Sequence, residues 1–133
     1  MALTVNHPVL KEVTVYAHTP SIGSSPIAAN ARAPFRGKVV KVGCIVNGAF
    51  TGTLSHAVNI IASVADAAAP GAGTAITGSP FTQSATNSAA GSTNSFIPTG
   101  ANAVNEDDII NFTPSGATAS AVSGTYYAVI QLA

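Results

Sequence analysis

Five basic and five acidic side chains are all the formal charge that 133 residues carry. No apolar run in the chain approaches the length that crosses a bilayer, about 20 residues. An ordinary globular domain is about a quarter charged, so this chain lacks most of the charge that keeps copies of a protein apart. Ala, Ser, Thr, Gly and Asn stand in its place. A surface of that kind is suited to lying against other protein, and it points to an assembled, structural role before a free enzyme.

The chain has the length of one domain, able to bury about two-thirds of its unfolded surface. Its formal net charge is zero, which weakens self-repulsion and favours association. Nucleic acid is excluded as an expected partner, because phosphate binding needs clustered Lys and Arg. The one basic cluster, Arg32 to Lys41, borders a strand: Lys38 and Lys41 flank Val39-Val40. Cys44 is the single cysteine, set in the apolar run from Val42 to Val46, and is expected to be a buried thiol. The first eight residues have no basic region followed by an apolar core, so synthesis in a cytoplasm is expected, and no membrane partner.

Helical periodicity is nearly absent. Short β-branched runs bounded by Gly, Pro, Asn and Ser predict strands instead. They fall near Glu12–His18, Gly37–Val46, Ala57–Val64, Thr74–Ile76, Phe81–Thr86, Asn94–Ile97, Asp108–Thr113 and Gly124–Leu132. About eight strands in one chain predict an all-β protein: a jelly-roll-like β-sandwich. In the last strand Tyr126, Ala128, Ile130 and Leu132 share one side, and Tyr127, Val129 and Gln131 the other. Both sides are mostly apolar. A lone sandwich shows polar residues outward, so Tyr127 and Val129 are expected to meet a neighbouring subunit.

Residues 1–36 differ from the sandwich domain expected over 37–133. Pro8, Pro20, Pro26 and Pro34 interrupt them, and they read as an extended arm carrying the first strand. Leu3, Val5, Val9 and Leu10 make that arm apolar enough to dock on other protein, either a shell or the next copy.

The search for chemistry is unproductive. His7, His18 and His56 lack the close spacing of a metal site and read as surface or strand-edge residues, so no metal or cofactor is expected. Glu106-Asp107-Asp108 is the single acidic cluster, but consecutive side chains in a strand point to opposite faces; it reads as a solvated turn that opens a strand. No Gly-x-Ser-x-Gly elbow and no phosphate-binding glycine loop occurs. Catalysis is not expected.

Three stretches carry a resemblance: Pro34-Phe-Arg-Gly-Lys-Val-Val-Lys-Val-Gly43; Ala89-Ala-Gly-Ser-Thr93; and Ile97-Pro-Thr-Gly-Ala-Asn-Ala-Val-Asn-Glu-Asp-Asp-Ile-Ile110 with the terminal strand Tyr126–Leu132. From about Phe35 onward the chain resembles the small tailed-bacteriophage head proteins called decoration, cement or capsid-stabilising proteins. Their acidic turn usually reads Val-x-x-Gly-Asp-x-Ile; here Glu106-Asp107 or Asp107-Asp108 stands where Gly-Asp would. The resemblance implies a jelly-roll-like sandwich, often trimeric, seated on the outer capsid surface of the virion against the major capsid protein. The expected function is therefore a homotrimer that bridges capsomers. Two alternatives stand beside it. One is a head-fibre or receptor-binding fibre component; the other is a small β-sandwich hydrolase or lyase using His18 or His56.

Overall fold

A computed structural model of the protein describes residues 11–65, 68–86, 88–117 and 122–132. The first five strands are β1 (Glu12–Thr19), β2 (Ala29–Arg32), β3 (Gly37–Val46), β4 (Gly52–Ile61) and β5 (Thr74–Ala75). The other five are β6 (Phe81–Ser84), β7 (Thr93–Phe96), β8 (Ala103–Val104), β9 (Ile109–Ala117) and β10 (Gly124–Leu132). They form two antiparallel sheets packed as a sandwich, so the all-β expectation is met.

The front sheet runs β1-β10-β3-β7, with β8 also on β3; the back sheet runs β2-β9-β4-β5, with β6 also on β4. Each short pair shares one edge of its long neighbour: β7 and β8 lie along β3, and β5 and β6 along β4. Ten strands therefore fill eight lanes, four per sheet, and the chain changes sheet at six of its nine connections.

Local sequence explains the best-defined strand. In β3, Val42, Cys44 and Val46 face the core while Lys41, Gly43 and Ile45 face out. Strict alternation would then turn Val40 inward and Val39 outward. The register instead shifts between Val129 and Ile130, pairing Val129 with Lys41 and Ile130 with Val39. Val40 is the extra residue of a β-bulge. The doubled valine between two lysines is thus resolved, with Val39 buried and both lysines exposed.

Between the sheets lies an aromatic stack. Tyr126 and Phe112 are parallel with centroids 4.7 Å apart, and His56 packs on Phe81 at 4.6 Å. Val58, Leu54, Ile110 and Ile130 close around them with no exposure.

The division into an arm over 1–36 and a sandwich over 37–133 needs correction. β1 pairs with β10 along its whole length, from Glu12↔Gln131 to Thr19↔Gly124, and β2 pairs with β9. The described part of the segment belongs to the sandwich. Its prolines allow this because Pro20, Pro26 and Pro34 all fall in connections, where a missing N–H disrupts no ladder. The loop after β1 satisfies its own polar groups: Thr19 Oγ1 donates to Ile27 O at 2.6 Å, and Ile22, wholly buried, donates its N–H to Val122 O. Leu3, Val5, Val9 and Leu10 lie outside the described residues.

Candidate interaction surface

The two outer faces of the sandwich differ in chemistry. On the back sheet, Asn30, Asn111 and Asn59 lie side by side across β2, β9 and β4. Asn111 Nδ2 donates to Asn30 Oδ1 at 2.8 Å, and Thr113 Oγ1 donates to Asn111 Oδ1. That face is polar and uncharged along these rows. On the front sheet the corresponding rows are more apolar, around one exposed lysine, Lys41, which pairs with Val129. Tyr16 pairs with Tyr127 and Tyr127 with Gly43; Thr14 pairs with Val129; Thr125 pairs with Ile45.

Tyr127 and Val129 therefore sit where strand parity puts them, on the outer face, half-buried. Tyr16 and Ile45 complete the patch. Tyr16 is 64% exposed, the largest aromatic surface among the described residues. Gly43 is needed here: a Cβ at that position would run into the Tyr127 ring, which occupies that space. Covering a strand glycine with a neighbouring aromatic protects the bare backbone. A shallow concavity of ≈ 400 Å³ opens between Tyr16, Tyr127, Ile45 and Thr93.

The two histidines among the described residues, His18 and His56, do not converge. His18 is exposed on the front face, its Nδ1 3.4 Å from Thr125 Oγ1. His56, expected at the surface or a strand edge, is wholly buried instead. Inward parity places it between Leu54 and Val58 on β4, where two neutral side chains satisfy both ring nitrogens. Gln83 Oε1 lies 3.3 Å from Nε2 and accepts its proton; Tyr126 donates its hydroxyl to Nδ1 at 2.8 Å. Burial lowers the His56 pKa from 6.5 to about 4 and pushes the Tyr126 hydroxyl well up. His56 is a neutral structural group that water and substrate do not reach. His7 lies outside the described residues.

Cys44 is buried, and burial raises its thiol to about 12; it is not a nucleophile at neutral pH. Among the described residues no three of His, Cys, Asp and Glu come together as metal ligands. Among them, too, no helix is long and apolar enough to cross a membrane.

The acidic turn corrects another expectation. It does open a strand, β9, but Asp108 is 7% exposed and not solvated. Its carboxylate accepts from Asn105 N at 2.8 Å and Ser63 N at 3.1 Å, tying the turn to the end of β4. Asp108 N donates to Asn105 O, closing a four-residue turn in which Asp107 has φ 69°. That left-handed position favours glycine. Replacing Asp107 with Gly should stabilise the protein by about 0.5–1 kcal/mol, the relieved left-handed strain less glycine's entropy. Urea unfolding would read it as a raised midpoint; an unchanged or lower midpoint would mean that Asp107 is unstrained.

No protein-family model matches the chain, and no curated protein matches it. The functional reading therefore rests on the surface itself. Sequence parity found Tyr127 and Val129. It missed Tyr16 and Ile45, whose membership depends on which strands pair with β10.

Proposed function

We propose that the protein is a structural virion component: a homo-oligomer, in all a trimer, that seats on the outer surface of a phage capsid and bridges capsomers. The winding supports the jelly-roll reading, since β1-β10-β3-β7 facing β2-β9-β4-β5, with the chain alternating between sheets, is the order two intertwined Greek keys produce. One observation carries the assembled role. The front face presents Tyr16, Tyr127, Val129 and Ile45 where the back face presents asparagines and threonines. A monomer gains nothing from an aromatic outer face, whereas a subunit buries it against a neighbour.

Chemistry supports the same reading. A surface of Asn, Ser, Thr and small residues with few charges is compatible with close contact to a shell without large desolvation penalties. Many modest contacts repeated over one shell act together. A protein that binds the assembled shell and not its dissociated subunits stabilises it by mass action. The protein would be made in the host cytoplasm and reside on the outer capsid surface.

The test is sedimentation. The purified protein is expected to run as a trimer at micromolar concentration and to co-sediment with phage heads in a saturable manner. Tyr127→Lys, which adds a further lysine to the front face near Lys41, is expected to lose the trimer while keeping the β-sheet circular dichroism. A protein that stays monomeric at high concentration and leaves heads bare would overturn the proposal.

A further inference from the structure

We propose that β1 is a docking edge for a second copy of the chain: two β1 strands pair antiparallel about Val15, so that two front sheets become one. The contact uses an edge and not the outer face. It therefore goes beyond the trimer proposed above and can tie one oligomer to the next.

Three of the four sheet edges are cut short, and one is not. β7 and β8 divide one edge into four and two residues, β5 and β6 divide another into two and four, and β2 has four. Short or interrupted edges keep copies from pairing. β1 has eight residues, holds no Pro or Lys, and follows β10 without a register shift. Among the described residues no strand pairs with its outer side. The core is also unfinished there. Val13 and Val15 pack on the buried cluster between the sheets, yet both are only half-buried.

The ladder fixes which backbone groups face outward. Lys11 O accepts from Leu132 N, so Lys11 and, by alternation, Val13, Val15, Ala17 and Thr19 bond to β10. Glu12, Thr14, Tyr16 and His18 turn their N–H and C=O groups away from it. Two such edges pair only where outward residues meet outward residues. With Val15 on the two-fold axis, Glu12 meets His18 and Thr14 meets Tyr16, in both directions, and every outward group of the strand has a partner. An axis at Tyr16 sets Glu12 against Pro20, which has no N–H to give. An axis at Thr14 carries His18 past the end of the second β1.

Side chains agree with that register. On the outer face the Glu12 carboxylate comes opposite the His18 imidazole, a donor for it, at both ends of the pair. The two Tyr16 rings lie on a diagonal, about 7–8 Å apart at the backbone and within reach of each other. That covers the ring which is 64% exposed in one copy. Between the sheets Val15 meets Val15 and Val13 meets Ala17, closing the half-buried stretch of core. Lys38 and Lys41 stand on β3, two strands in from this edge. One surface meeting itself about a two-fold axis is an isologous contact.

Disulfide trapping reads the register. In Val15→Cys the two sulfurs meet across the axis, at a non-hydrogen-bonded pair with Cα atoms about 4.5 Å apart, a separation that a disulfide spans. Val13→Cys is the control, since its own counterpart lies about 13 Å away along the strand. The buried Cys44 stays out of the exchange. Full-length variants, checked for β-sheet circular dichroism, are oxidised at high micromolar concentration. Val15→Cys is expected to give linked dimer at ten or more times the yield of Val13→Cys, and mixing Val13→Cys with Ala17→Cys is expected to restore the yield. Should a core variant fail to fold, Glu12→Cys mixed with His18→Cys probes the same register on the exposed face. That mixture keeps one native Glu12–His18 pair and is expected to link, while neither variant links alone. Equal yields from Val15→Cys and Val13→Cys would overturn the pairing. So would a Glu12→Cys and His18→Cys mixture that links no better than either variant by itself. Trapping is read on free protein and co-sedimentation on heads, so the edge contact and the capsid role stand or fall separately.

Discussion

Tyr126→Ala is expected to cost about 4 kcal/mol of unfolding free energy, and Tyr126→Phe less, about 1–3. Tyr126 is the largest side chain with no exposure at all. It stacks on Phe112 at 4.7 Å, meets His56 edge-on at 5.4 Å and donates its hydroxyl to His56 Nδ1. Truncating a buried aromatic residue costs about 3–5 kcal/mol from lost transfer energy and the cavity left behind. The ring pairing adds about 0.5–1.5. Phenylalanine keeps the ring and the stack and loses one hydrogen bond, leaving a buried imidazole nitrogen without its donor, a cost of about 1–3 kcal/mol. A domain of this size has about 5–15 kcal/mol in total, so the alanine variant sits near the edge of folding. Urea unfolding followed by circular dichroism measures both. Equal losses for the two variants would mean that the hydrogen bond, and not the stack, organises the core.

Where the sequence signal was strong, strand boundaries could be read residue by residue. β3 and β10 begin and end where the glycine-bounded β-branched runs do. β2 is Ala-Asn-Ala-Arg, with no residue that favours a strand; it is one because β9 offers Ile109–Phe112 as a partner. β8 is two residues held by Gly37 and Lys38. Both are products of tertiary pairing, which overrides weak local preference. The late predicted start of β4 and the misplacing of His56 share one cause. Leu54, His56 and Val58 are its inward residues, and a histidine in the middle of that series breaks the apolar alternation a reader counts. β9 runs past the expected Thr113 and through Pro114 because β2 ends opposite Phe112. Beyond that point β9 has a neighbour on one side only, where proline is tolerated.

The candidate surface was legible to the same degree. Parity on β10 puts Tyr127 and Val129 together without any structure. Gly43 is informative only once Tyr127 is known to be its neighbour: as a letter in the sequence it is a glycine in a strand, and beside an aromatic ring it is the space the ring occupies. The apolar outer face is thus a property of three strands in register, and no single strand declares it.

Acid should expose the buried histidine. In the unfolded chain His56 titrates near 6.5, and in the folded protein burial holds it to about 4. Between those values the unfolded state carries a proton that the folded state refuses, so acid favours unfolding. The contribution of neutral His56 is complete above pH 6.5 and is lost as pH falls towards 4, by about 3 kcal/mol in all. The physical origin is local. The groups bonded to the ring, Tyr126 and Gln83, are both neutral, and an imidazolium would present Nδ1–H to a hydroxyl that is already donating there. His56→Leu isolates the effect from other titrating groups. At pH 7 the variant should be about 3 kcal/mol less stable, because the Tyr126 hydroxyl loses its acceptor and Gln83 its donor. That deficit should shrink as pH is lowered from 6.5 to 4, since leucine has no proton to take up. Unfolding curves collected across that range for both proteins would decide it. Two stability profiles that stay parallel would show that His56 is protonated inside the fold, and that the neutral network joining β4, β6 and β10 is wrong.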